Sequence, residues 1–398
     1  MPGFEYFGAA ERKSAGEVLE TGVLMRYGFD GMRNGRWMAK EMEHALAKRM
    51  QTRYAHLVSS GTAALTVALA SAGVGAGDEV IVPTFTFVAS FEAVLSVGAI
   101  PVLCDIDDTL TLKPDAVLKA ITPKTRVIMP VHMCGSMADL SALKQIAEAH
   151  DLILLEDACQ AIGGSYKGQP LGSIGHMGCF SFDYVKTITC GEGGGLITNS
   201  ETVYQKAHAF SDHGHDHIGT DRGAEGHPHL GYNYRIGEVN AAIGLVQLSR
   251  LDEFLAIQKT HYTRLRNSLD GISGITFRKV PEGGVENYSF LNFFMPDEAS
   301  ARKASKALGE AGFDGVFYWY DNNWHYHRKW EHLHQLKSLS SLPEELRTQF
   351  ERRYPQSFEV SDHWMGRNLS VLIKLSWDET ELESRCRTLS DVISKVLA

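Results

Sequence analysis

The chain has 398 residues, which is enough for two or three domains and a large buried core. It carries 48 acidic and 39 basic residues, and the resulting formal charge of −9 disfavours a surface that binds nucleic acid or an anionic membrane. Because 44% of the residues are hydrophobic and 22% are charged, the composition excludes a disordered or fibrous protein. We expect the partners to be small molecules or other protein subunits.

The chain shows no targeting feature. Its amino terminus lacks a basic region followed by an apolar run, so nothing resembles a signal peptide. No apolar stretch reaches the roughly 18 residues of a membrane span. The six cysteines are scattered without CxxC pairs, which is typical of buried thiols in a reducing compartment. These features predict a cytoplasmic protein without membrane or nucleic-acid partners.

Strands and helices alternate along the first half of the chain. Short β-rich runs alternate with helical patterns, and this alternation predicts an α/β fold with a mostly parallel sheet that is covered on both faces. The predicted strands lie at 54–58, 79–83, 101–105, 127–131, 152–155, 179–182 and 195–198. The predicted helices lie at 37–50, 62–72, 88–97 and 141–150.

The second half of the chain has a different pattern. A single long amphipathic helix, predicted from Ile236 to about Thr260 or beyond, leads into a second domain. The alternation within that domain predicts strands at 288–295 and 369–375 and helices near 299–311 and 378–396. We therefore predict a large domain with amino-terminal helices over residues 1–250 and a small α+β domain over residues 251–398.

A glycine turn between the first strand and its helix is the first candidate binding element. The run Ser59-Ser60-Gly61-Thr62 exposes backbone N–H groups at a helix amino terminus, where phosphate groups bind. A simple helix N-cap by Ser60 or Thr62 explains the same residues about equally well.

Two acids end the strand near residue 155, at the sheet edge where parallel sheets bind ligands. Asp157 is suited to pair with a cationic nitrogen of a cofactor, and Gln160, one helical turn later, can donate to the same ligand. The alternative for Asp157 is a helix N-cap.

Lys186 lies between a strand and the glycine-dense turn 191–195. In a desolvated cleft its amine becomes a nucleophile toward carbonyl groups. A solvated loop lysine is the commoner case, but the phosphate turn, the strand-end acid and the lysine occur here together and in order.

In this combination the sequence resembles the DegT/DnrJ/EryC1/StrS family of sugar aminotransferases, which have the fold-type I architecture and depend on pyridoxal phosphate. The resemblance covers nearly the whole chain. The motifs that carry it are Ser60-Gly61-Thr62-Ala63-Ala64, Pro83 to Ser90, Glu156-Asp157-Ala158-Cys159-Gln160-Ala161, Ser181-Phe182 with Lys186, Gly191-Glu192-Gly193-Gly194, and Gly231-Tyr232-Asn233-Tyr234-Arg235.

The resemblance implies a role for each residue around the cofactor ring. Lys186 would hold the cofactor as a Schiff base and, once released, move a proton to or from the substrate carbon. Asp157 would keep the pyridine nitrogen protonated, so that the ring accepts electrons. Gln160 would hydrogen-bond the ring hydroxyl, and Phe87 would stack on the ring. Without the family, Phe87 reads equally well as a core aromatic residue.

The resemblance also implies how the phosphate group is held. Gly61, Thr62 and Ser181 would bind it from one subunit, and Asn233 would reach it from the other. We therefore expect a homodimer with shared active sites. Without the family, Asn233 is equally well explained as a turn residue.

Lys186 also distinguishes between reactions within the family. Related dehydratases have histidine at this position, so the lysine favours transamination through pyridoxamine phosphate, with L-glutamate as the amino donor. A protein that binds the cofactor as a sensor without turnover is the alternative of another class. The intact Lys186, Asp157 and Gln160 disfavour it.

Two segments are candidates for acceptor binding. Arg26, Arg33 and Arg36 could bind a carboxylate or phosphate, although a solvated basic loop is slightly favoured. The segment 317–327 is longer and more aromatic than the corresponding segment of the family, which suits the stacking and hydrogen bonding of a sugar. Its candidate contacts are Trp319, Tyr320, Asn322 and His325, and packing against the long helix is the alternative.

The same features are similar to those of family members that form 8-amino-3,8-dideoxy-manno-octulosonate, an amino form of the lipopolysaccharide sugar Kdo. The acceptor would then be the C8 aldehyde of 8-oxo-Kdo, a free acidic sugar. A nucleotide-linked keto-deoxyhexose is the second expectation.

The segment 208–229 contains six histidines, a number that raises the question of a metal site. Because the run lies in a predicted loop, we expect a mobile active-site or surface loop and no metal.

Overall fold

The structure, a computed structural model, describes residues 3–219, 223–353 and 356–398. Residues 220–222 of the histidine-rich segment therefore lie outside the described residues. The α-helices are α1 (Ala9–Thr21), α2 (Met38–Arg49), α3 (Gly61–Ser71), α4 (Ala89–Ser96), α5 (Pro114–Ala120), α6 (Leu140–Ala149), α7 (Glu201–Phe210), α8 (Glu238–Ser249), α9 (Leu251–Ser268), α10 (Glu298–Glu310), α11 (Glu331–His334), α12 (Glu344–Arg353), α13 (Glu359–Met365) and α14 (Glu379–Leu397).

The strands form three sheets within the described residues. The strands are β1 (Tyr54–Val58), β2 (Glu79–Pro83), β3 (Ile100–Cys104), β4 (Thr125–Ile128), β5 (Ile153–Asp157), β6 (Ser165–Tyr166), β7 (Gln169–Pro170), β8 (Met177–Ser181), β9 (Gly194–Thr198), β10 (Thr276–Phe277), β11 (Gly284–Val285), β12 (Phe290–Phe294), β13 (Val316–Phe317) and β14 (Asn368–Leu372).

The large sheet has seven strands in the order β1-β9-β8-β5-β4-β2-β3. The strands β3, β2, β4, β5 and β8 run parallel to one another, and β9 runs antiparallel to both of its neighbours. The predicted fold class, an α/β fold with a mostly parallel seven-stranded sheet, is confirmed. The carboxyl ends of β2, β5 and β8 therefore lie at the same edge of the sheet, which is the ligand-binding edge of such folds.

Helix α3 lies against β8 and β9 on one face of this sheet. Its side chains are alanine, leucine, valine and small polar groups, and most of them are buried. A helix that is apolar on all sides belongs in a core. Helix α3 therefore presents its amino terminus, and not its side chains, to the sheet edge.

The second sheet has the order β10-β12-β14-β13, and each strand in it runs antiparallel to its neighbours. Its buried side chains, including Phe293 and Val371, form one core with Leu265 of α9 and Leu389 of α14. All four strands of this sheet lie beyond residue 250.

One part of the later chain packs against the large sheet domain. Trp330, Leu333, Leu346 and Phe350 belong to the same buried cluster as the side chains of α3 and α4. A division of the chain at residue 250 thus describes the two sheets but not this segment, whose apolar face is buried on the large domain.

The predicted long helix is two helices. Helix α8 ends at Ser249 and α9 begins at Leu251, because Arg250 between them has φ −98° and ψ 1°, outside the helical region. The amphipathic pattern continues across this break because both helices bury apolar faces. The sequence therefore predicted the helical residues and missed the bend.

In the described residues, the structure contains no helix that is both long and apolar enough to cross a membrane.

Candidate active site

A cavity of about 640 Å³ lies at the carboxyl edge of the large sheet and extends to the second sheet. Its wall takes side chains from the end of β5 and β8, the first turns of α3 and α4, and the end of β14. Seven of the eight residues that the resemblance assigns to the cofactor line it: Gly61, Thr62, Phe87, Asp157, Gln160, Ser181 and Lys186. The topology therefore brings motifs that are far apart in sequence into one site.

The amino terminus of α3 forms one end of the cavity. The Ser60 hydroxyl caps the helix by accepting a hydrogen bond from the N–H of Ala63 at 3.0 Å. A Cβ on Gly61 would lie 2.7 Å from the Cβ of Ser181, so only glycine lets the helix approach the end of β8 this closely. The first N–H groups of a helix have no partner within the helix and attract anions. This end suits a phosphate group.

Asp157 lies at the end of β5 and is buried. Its Oδ2 accepts a hydrogen bond from the Ser90 hydroxyl at 2.7 Å, and the Ser90 oxygen lies 2.5 Å from that of Thr86. Its Oδ1 accepts a hydrogen bond from the N–H of Cys159 at 3.2 Å. These donors fix the orientation of the carboxylate. Asp157 is therefore held ready to face a cationic ring nitrogen.

The preceding acid, Glu156, faces the opposite side of the strand, as strand alternation requires. Its carboxylate accepts hydrogen bonds from the backbone N–H groups of Gly172, Ile174 and Gly175 at 2.6 to 2.8 Å. It also lies 2.9 Å from Nε2 of His132. Glu156 is thus occupied by structural hydrogen bonds, and Asp157 alone of the two acids lines the cavity.

Gln160 is held by the backbone on both sides. Its Oε1 accepts a hydrogen bond from the N–H of Cys134 at 3.0 Å, and its main-chain oxygen accepts one from the side-chain amide of Asn287 at 2.9 Å. Because the side-chain oxygen is occupied, the Nε2 group is the end that can donate into the cavity. This arrangement fits the ring hydroxyl that the resemblance assigns to Gln160.

Lys186 lies in the loop between β8 and β9. The loop is fixed on both sides of the lysine, because the Lys186 N–H donates to the Asp183 oxygen and its own carbonyl accepts from the N–H of Gly3, both at 3.0 Å. The amine lies close enough to His325 and Cys159 to affect the pKa of both groups. A half-buried primary amine therefore enters the same cavity as Asp157.

His325 is the neutral base of the cavity. Burial, reinforced by the positive charge of Lys186, lowers the pKa of His325 to about 3. Its Nδ1 lies 2.9 Å from Oδ1 of Asn322, which can only accept, so Nδ1 carries the proton and Nε2 is left as an acceptor. The two residues together offer a fixed hydrogen-bonding group to a polar ligand.

An aromatic wall stands opposite the α3 end. The rings of Phe87 and Trp324 are stacked, with centroids 5.5 Å apart and an angle of 18°. Trp319 is buried and donates its indole N–H to the Ser370 hydroxyl at 2.7 Å. Flat aromatic surfaces of this kind bind the apolar faces of rings. Phe87 therefore lies where it can cover either the cofactor ring or a sugar.

The residues of the cavity match each functional group of pyridoxal phosphate. The α3 amino terminus suits the phosphate, Asp157 with its hydroxyl donors suits the pyridine nitrogen, Gln160 suits the ring hydroxyl, and Lys186 suits the aldehyde carbon. A Cβ at Gly61 would obstruct the turn that forms the phosphate end. The donor set and the shape of the site therefore agree with this cofactor.

The arginine cluster lies outside the cavity, which corrects the expectation that it binds a ligand carboxylate. Arg26 is 2% exposed and pairs with Glu43 at 2.5 Å. Arg33 is equally buried, pairs with Glu238 at 3.2 Å and donates to the Gly28 carbonyl at 2.6 Å. Both guanidinium groups stabilise the fold around buried carboxylates. A count of arginines in the sequence does not reveal such internal partners.

Arg36 is exposed and pairs with Glu17 and Glu41 at 3.3 and 3.0 Å. It does not line the cavity of the described chain. Arg36 therefore fits the alternative prediction, an arginine of a solvated basic loop.

Two further predicted residues do not line the cavity of their own chain. Tyr320 is buried against the guanidinium of Arg328, whose carbon lies 4.4 Å from the ring centroid. Asn233 is exposed, and its Oδ1 accepts a hydrogen bond from the N–H of Arg235 at 3.3 Å. Its predicted contact is with the partner subunit, so its position here leaves that prediction open.

Several polar residues that line the cavity were not predicted, among them Thr86, Ser90, Lys374 and Glu5. Thr86 precedes α4 and Ser90 lies in its first turn, and the contact of Ser90 with Asp157 depends on the approach of α4 to the end of β5. Lys374 follows β14, and Glu5 is at the amino terminus, so both reach the cavity from distant parts of the chain. No local pattern marks either of these two residues.

A lysine, a strand-end aspartate and a helix amino terminus around one cavity define the class of pyridoxal-phosphate enzymes. Residues 26–344 match the DegT/DnrJ/EryC1/StrS aminotransferase family. The chain belongs to this family, and it is a pyridoxal-phosphate-dependent aminotransferase.

Individual proteins of this family are similar over most of the chain. It is 37% identical over 285 residues to 3-amino-5-hydroxybenzoate synthase of Amycolatopsis mediterranei, covering 71% of this chain and 70% of the relative. It is also 37% identical over 306 residues to L-glutamine:2-deoxy-scyllo-inosose aminotransferase of Streptomyces kanamyceticus, covering 71% of each. An aminotransferase structure from Psychrobacter cryohalolentis has a TM-score of 0.83 at 25% identity and 98% coverage of both chains.

When bound, the cofactor supplies an electron sink that stabilises negative charge on the carbon losing its proton. The residues of this chain supply the rest of the chemistry. Asp157 would hold a positive charge at the pyridine nitrogen, and Lys186 would hold the cofactor and, when its amine is free, carry the proton. The aromatic wall and His325 would orient a polar substrate and limit the access of water.

Proposed function

We propose that this protein transfers an amino group from L-glutamate to the C8 aldehyde of 8-oxo-Kdo, forming 8-amino-3,8-dideoxy-manno-octulosonate. In the first half-reaction the amino group leaves glutamate and water supplies the new carbonyl oxygen of 2-oxoglutarate. In the second half-reaction the aldehyde oxygen leaves as water, so the reaction consumes no water overall. The observation that carries the proposal is the composition of the cavity wall. Among the described residues, the wall combines aromatic surfaces, two amides and a neutral imidazole with two cations, Lys186 and Lys374, and with the acids Glu5, Asp157, Asp183 and Glu192.

In this proposal Lys374, and not an arginine, binds the carboxylate of the acceptor. Its Nζ lies 2.6 Å from Oδ2 of Asp314. The guanidinium of Arg385 pairs with both Asp314 and Glu381, so Lys374 and Arg385 face two carboxylates between them. The ammonium group of Lys374 keeps further donors for the single carboxylate of a free sugar acid, whereas one lysine is a poor match for the diphosphate of a nucleotide sugar.

The polar residues of the wall suit the hydroxyl groups of an octulosonate. With its Nδ1 proton held by Asn322, His325 accepts a hydrogen bond from a hydroxyl at Nε2. Trp319 and Trp324 provide surfaces for the C–H faces of the sugar. The aldehyde would then be held at the Lys186 end of the cavity and the carboxylate toward Lys374.

We also propose that the protein is a homodimer with shared active sites and that it works in the cytoplasm. The dimer is supported by Asn233, which carries a family motif and yet is exposed away from the cavity of its own chain. The reducing compartment is supported by the cysteines, since Cys104, Cys134, Cys159, Cys179, Cys190 and Cys386 are all free thiols.

The test follows the visible absorption band of the lysine-bound cofactor in the purified holoenzyme. L-glutamate is added first, and the same experiment is repeated with L-glutamine, because a relative is named for that donor. We expect glutamate to bleach the band and 8-oxo-Kdo to restore it. A nucleotide-linked 4-keto sugar serves as the comparison acceptor.

Each result bears on a different part of the proposal. Recovery of the absorption band with the nucleotide-linked sugar and not with 8-oxo-Kdo would overturn the proposed identity of the acceptor. Bleaching by glutamine alone would overturn the donor. A band indifferent to both amino acids would contradict turnover with these donors.

A further inference from the structure

We propose that Asp212, His215 and His217 bind one divalent transition-metal ion, with zinc as the best match. The three residues lie in the histidine-rich segment that follows α7. They offer one carboxylate oxygen and two imidazole nitrogens, and these ligand atoms all lie within 4.8 Å of one another. Imidazole together with carboxylate is the ligand set that zinc and its neighbours in the transition series accept.

Each residue offers one ligand atom, and these atoms lie within 4.8 Å of one another. Nδ1 of His215 lies 3.8 Å from Oδ2 of Asp212. His217 presents Nδ1 3.1 Å from Nδ1 of His215, or Nε2 3.4 Å from the same Oδ2, and one of these two nitrogens would be the ligand. Tetrahedral ligands with metal bonds of about 2.0 to 2.1 Å are separated by roughly 3.3 Å. An adjustment of the His217 ring would therefore bring the three ligand atoms around one ion.

A second carboxylate supports the orientation of His215. Its Nε2 lies 2.5 Å from Oε2 of Glu225 without the geometry of a hydrogen bond, so a small turn of either side chain would let this nitrogen donate to the carboxylate. Metal-binding histidines commonly donate their second N–H to a carboxylate, which fixes the tautomer and leaves the other nitrogen free for the metal. Glu225 therefore points to Nδ1 of His215 as the ligand atom.

Charge and burial also favour a cation here. Asp212 and His215 are 0% and 2% exposed. Asp212 and Glu225 bring two negative charges, and the guanidinium of Arg235, which pairs with Oδ1 of Asp212, brings one positive charge. Carboxylates that are buried in this way favour a cation close to them. Either a metal ion or a proton on an imidazole could supply the opposite charge, and the experiment separates the two.

The site would fasten the segment that carries Asn233. The backbone of Asp212 forms an antiparallel bridge with that of Asn233, and the ring of His217 lies 4.1 Å from that of His208 on α7. An ion bound to residues 212, 215 and 217 would therefore hold the segment against α7 next to the predicted inter-subunit contact. The inference stands on the cluster itself and does not depend on the identity of the sugar.

The experiment measures metal binding by the holoenzyme after dialysis against a chelator. Zinc sulfate is titrated into the protein in a calorimeter, and bound zinc is then counted by elemental analysis after gel filtration. We expect one zinc ion per chain. The variants His215→Gln and His217→Gln should lose this binding, and Glu225→Gln should weaken it about 10- to 100-fold, because it removes the carboxylate behind His215.

His229→Gln is the matched control. His229 is an exposed histidine of the same segment and does not belong to the cluster, so its substitution should leave the zinc content unchanged. Zinc that is retained in both cluster variants, or lost equally in the control, would overturn the proposal.

Cobalt gives a readout that does not depend on the folding of a variant. In the wild-type protein, four-coordinate Co²⁺ with nitrogen and oxygen ligands should show intense visible d–d bands. These bands lie at longer wavelength than the absorption band of the cofactor. Wild-type protein that binds neither zinc nor cobalt would show that a proton, and not a metal, neutralises the cluster.

Discussion

Lys374 shows how one residue at the end of a strand can decide what a cavity accepts. Its amine pairs with Asp314, which Arg385 also contacts, and an ammonium group has three donors, so donors remain for a ligand carboxylate. The surrounding wall is mainly apolar, so a charge at this place interacts with a ligand more strongly than it would in water. The proposed acceptor therefore depends on this residue more than on any arginine.

Lys374→Gln should raise the KM for 8-oxo-Kdo about tenfold or more while changing kcat little, because an ionic hydrogen bond to the substrate contributes about 1.5 to 3 kcal/mol. Steady-state kinetics with the acceptor varied at saturating donor measure this effect. Lys337→Gln is the control, since Lys337 is an exposed lysine away from the cavity. An unchanged acceptor KM in Lys374→Gln would remove the proposed carboxylate contact.

His325 should remain neutral throughout the range in which an ordinary histidine titrates. Its pKa is lowered from 6.5 to about 3, first by burial, which persists with any ligand, and then by the charge of Lys186. Unfolding releases the ring to its ordinary pKa, so the unfolded state binds a proton that the folded state does not. The free energy of unfolding should therefore be highest above pH 6.5 and fall as the pH drops toward 3.

Nuclear magnetic resonance of the labelled histidine rings measures this directly. The His325 resonance should not titrate between pH 5 and about 8, the range in which an ordinary histidine gains its proton. A midpoint for His325 near 6.5 would contradict its assignment as a neutral acceptor.

At the scale of elements, the site depends on how closely α3 approaches β8. The helix begins at Gly61 directly beside Ser181, and its capping serine fixes the first turn. Because the two elements are so close, there is no room for a side chain at residue 61. The phosphate end of the cavity is therefore a property of two elements and not of any one residue.

Gly61→Ala should weaken cofactor binding and destabilise the protein by about 1 to 3 kcal/mol, because the new methyl group would meet the Ser181 Cβ. Cofactor titration by fluorescence and thermal unfolding measure the two effects. Gly309→Ala in α10 is the matched control, since a Cβ there meets no atom within 4 Å. Cofactor affinity equal to wild type in Gly61→Ala would contradict the tight packing of this turn.

At the scale of the whole molecule, the proposed dimer completes each site with a residue from the partner. Lys186 and Asn233 then act in the same site although they belong to different chains. Two inactive variants that each lack one of these residues can restore one another in a mixed dimer. A monomer that completes its own site has no such property.

Lys186→Ala should lose turnover while keeping its fold, because the substitution removes an amine from a loop and leaves the core unchanged. Asn233→Ala should bind the cofactor weakly and have low activity. When the two variants are mixed after mild dissociation, one of the two sites in each mixed dimer regains both residues, so activity should reappear. Mixing Lys186→Ala with the wild-type protein under the same conditions controls for activity that is lost during subunit exchange. A mixture as inactive as its components would contradict the shared site.

The sequence by itself determined the fold class and the set of cofactor-facing motifs. Each motif is local: Gly61 at a strand-to-helix turn, Asp157 at a strand end and Lys186 in a glycine-flanked loop. The parallel order of strands sends such turns and ends to one edge of the sheet, so their convergence follows from the alternation of elements. These motifs also sufficed to indicate the family and the cofactor.

Only the tertiary structure decided the partners of the charged side chains. Arg26 and Arg33 looked available in the sequence but are buried against Glu43 and Glu238, and Lys374 reaches the cavity from a strand near the end of the chain. Sequence patterns likewise did not predict the break between helices at Arg250 or the close approach of Asp212 to two histidines. Hydrophobic periodicity encodes which face of an element is buried, whereas a pairing of charges depends on which distant elements meet.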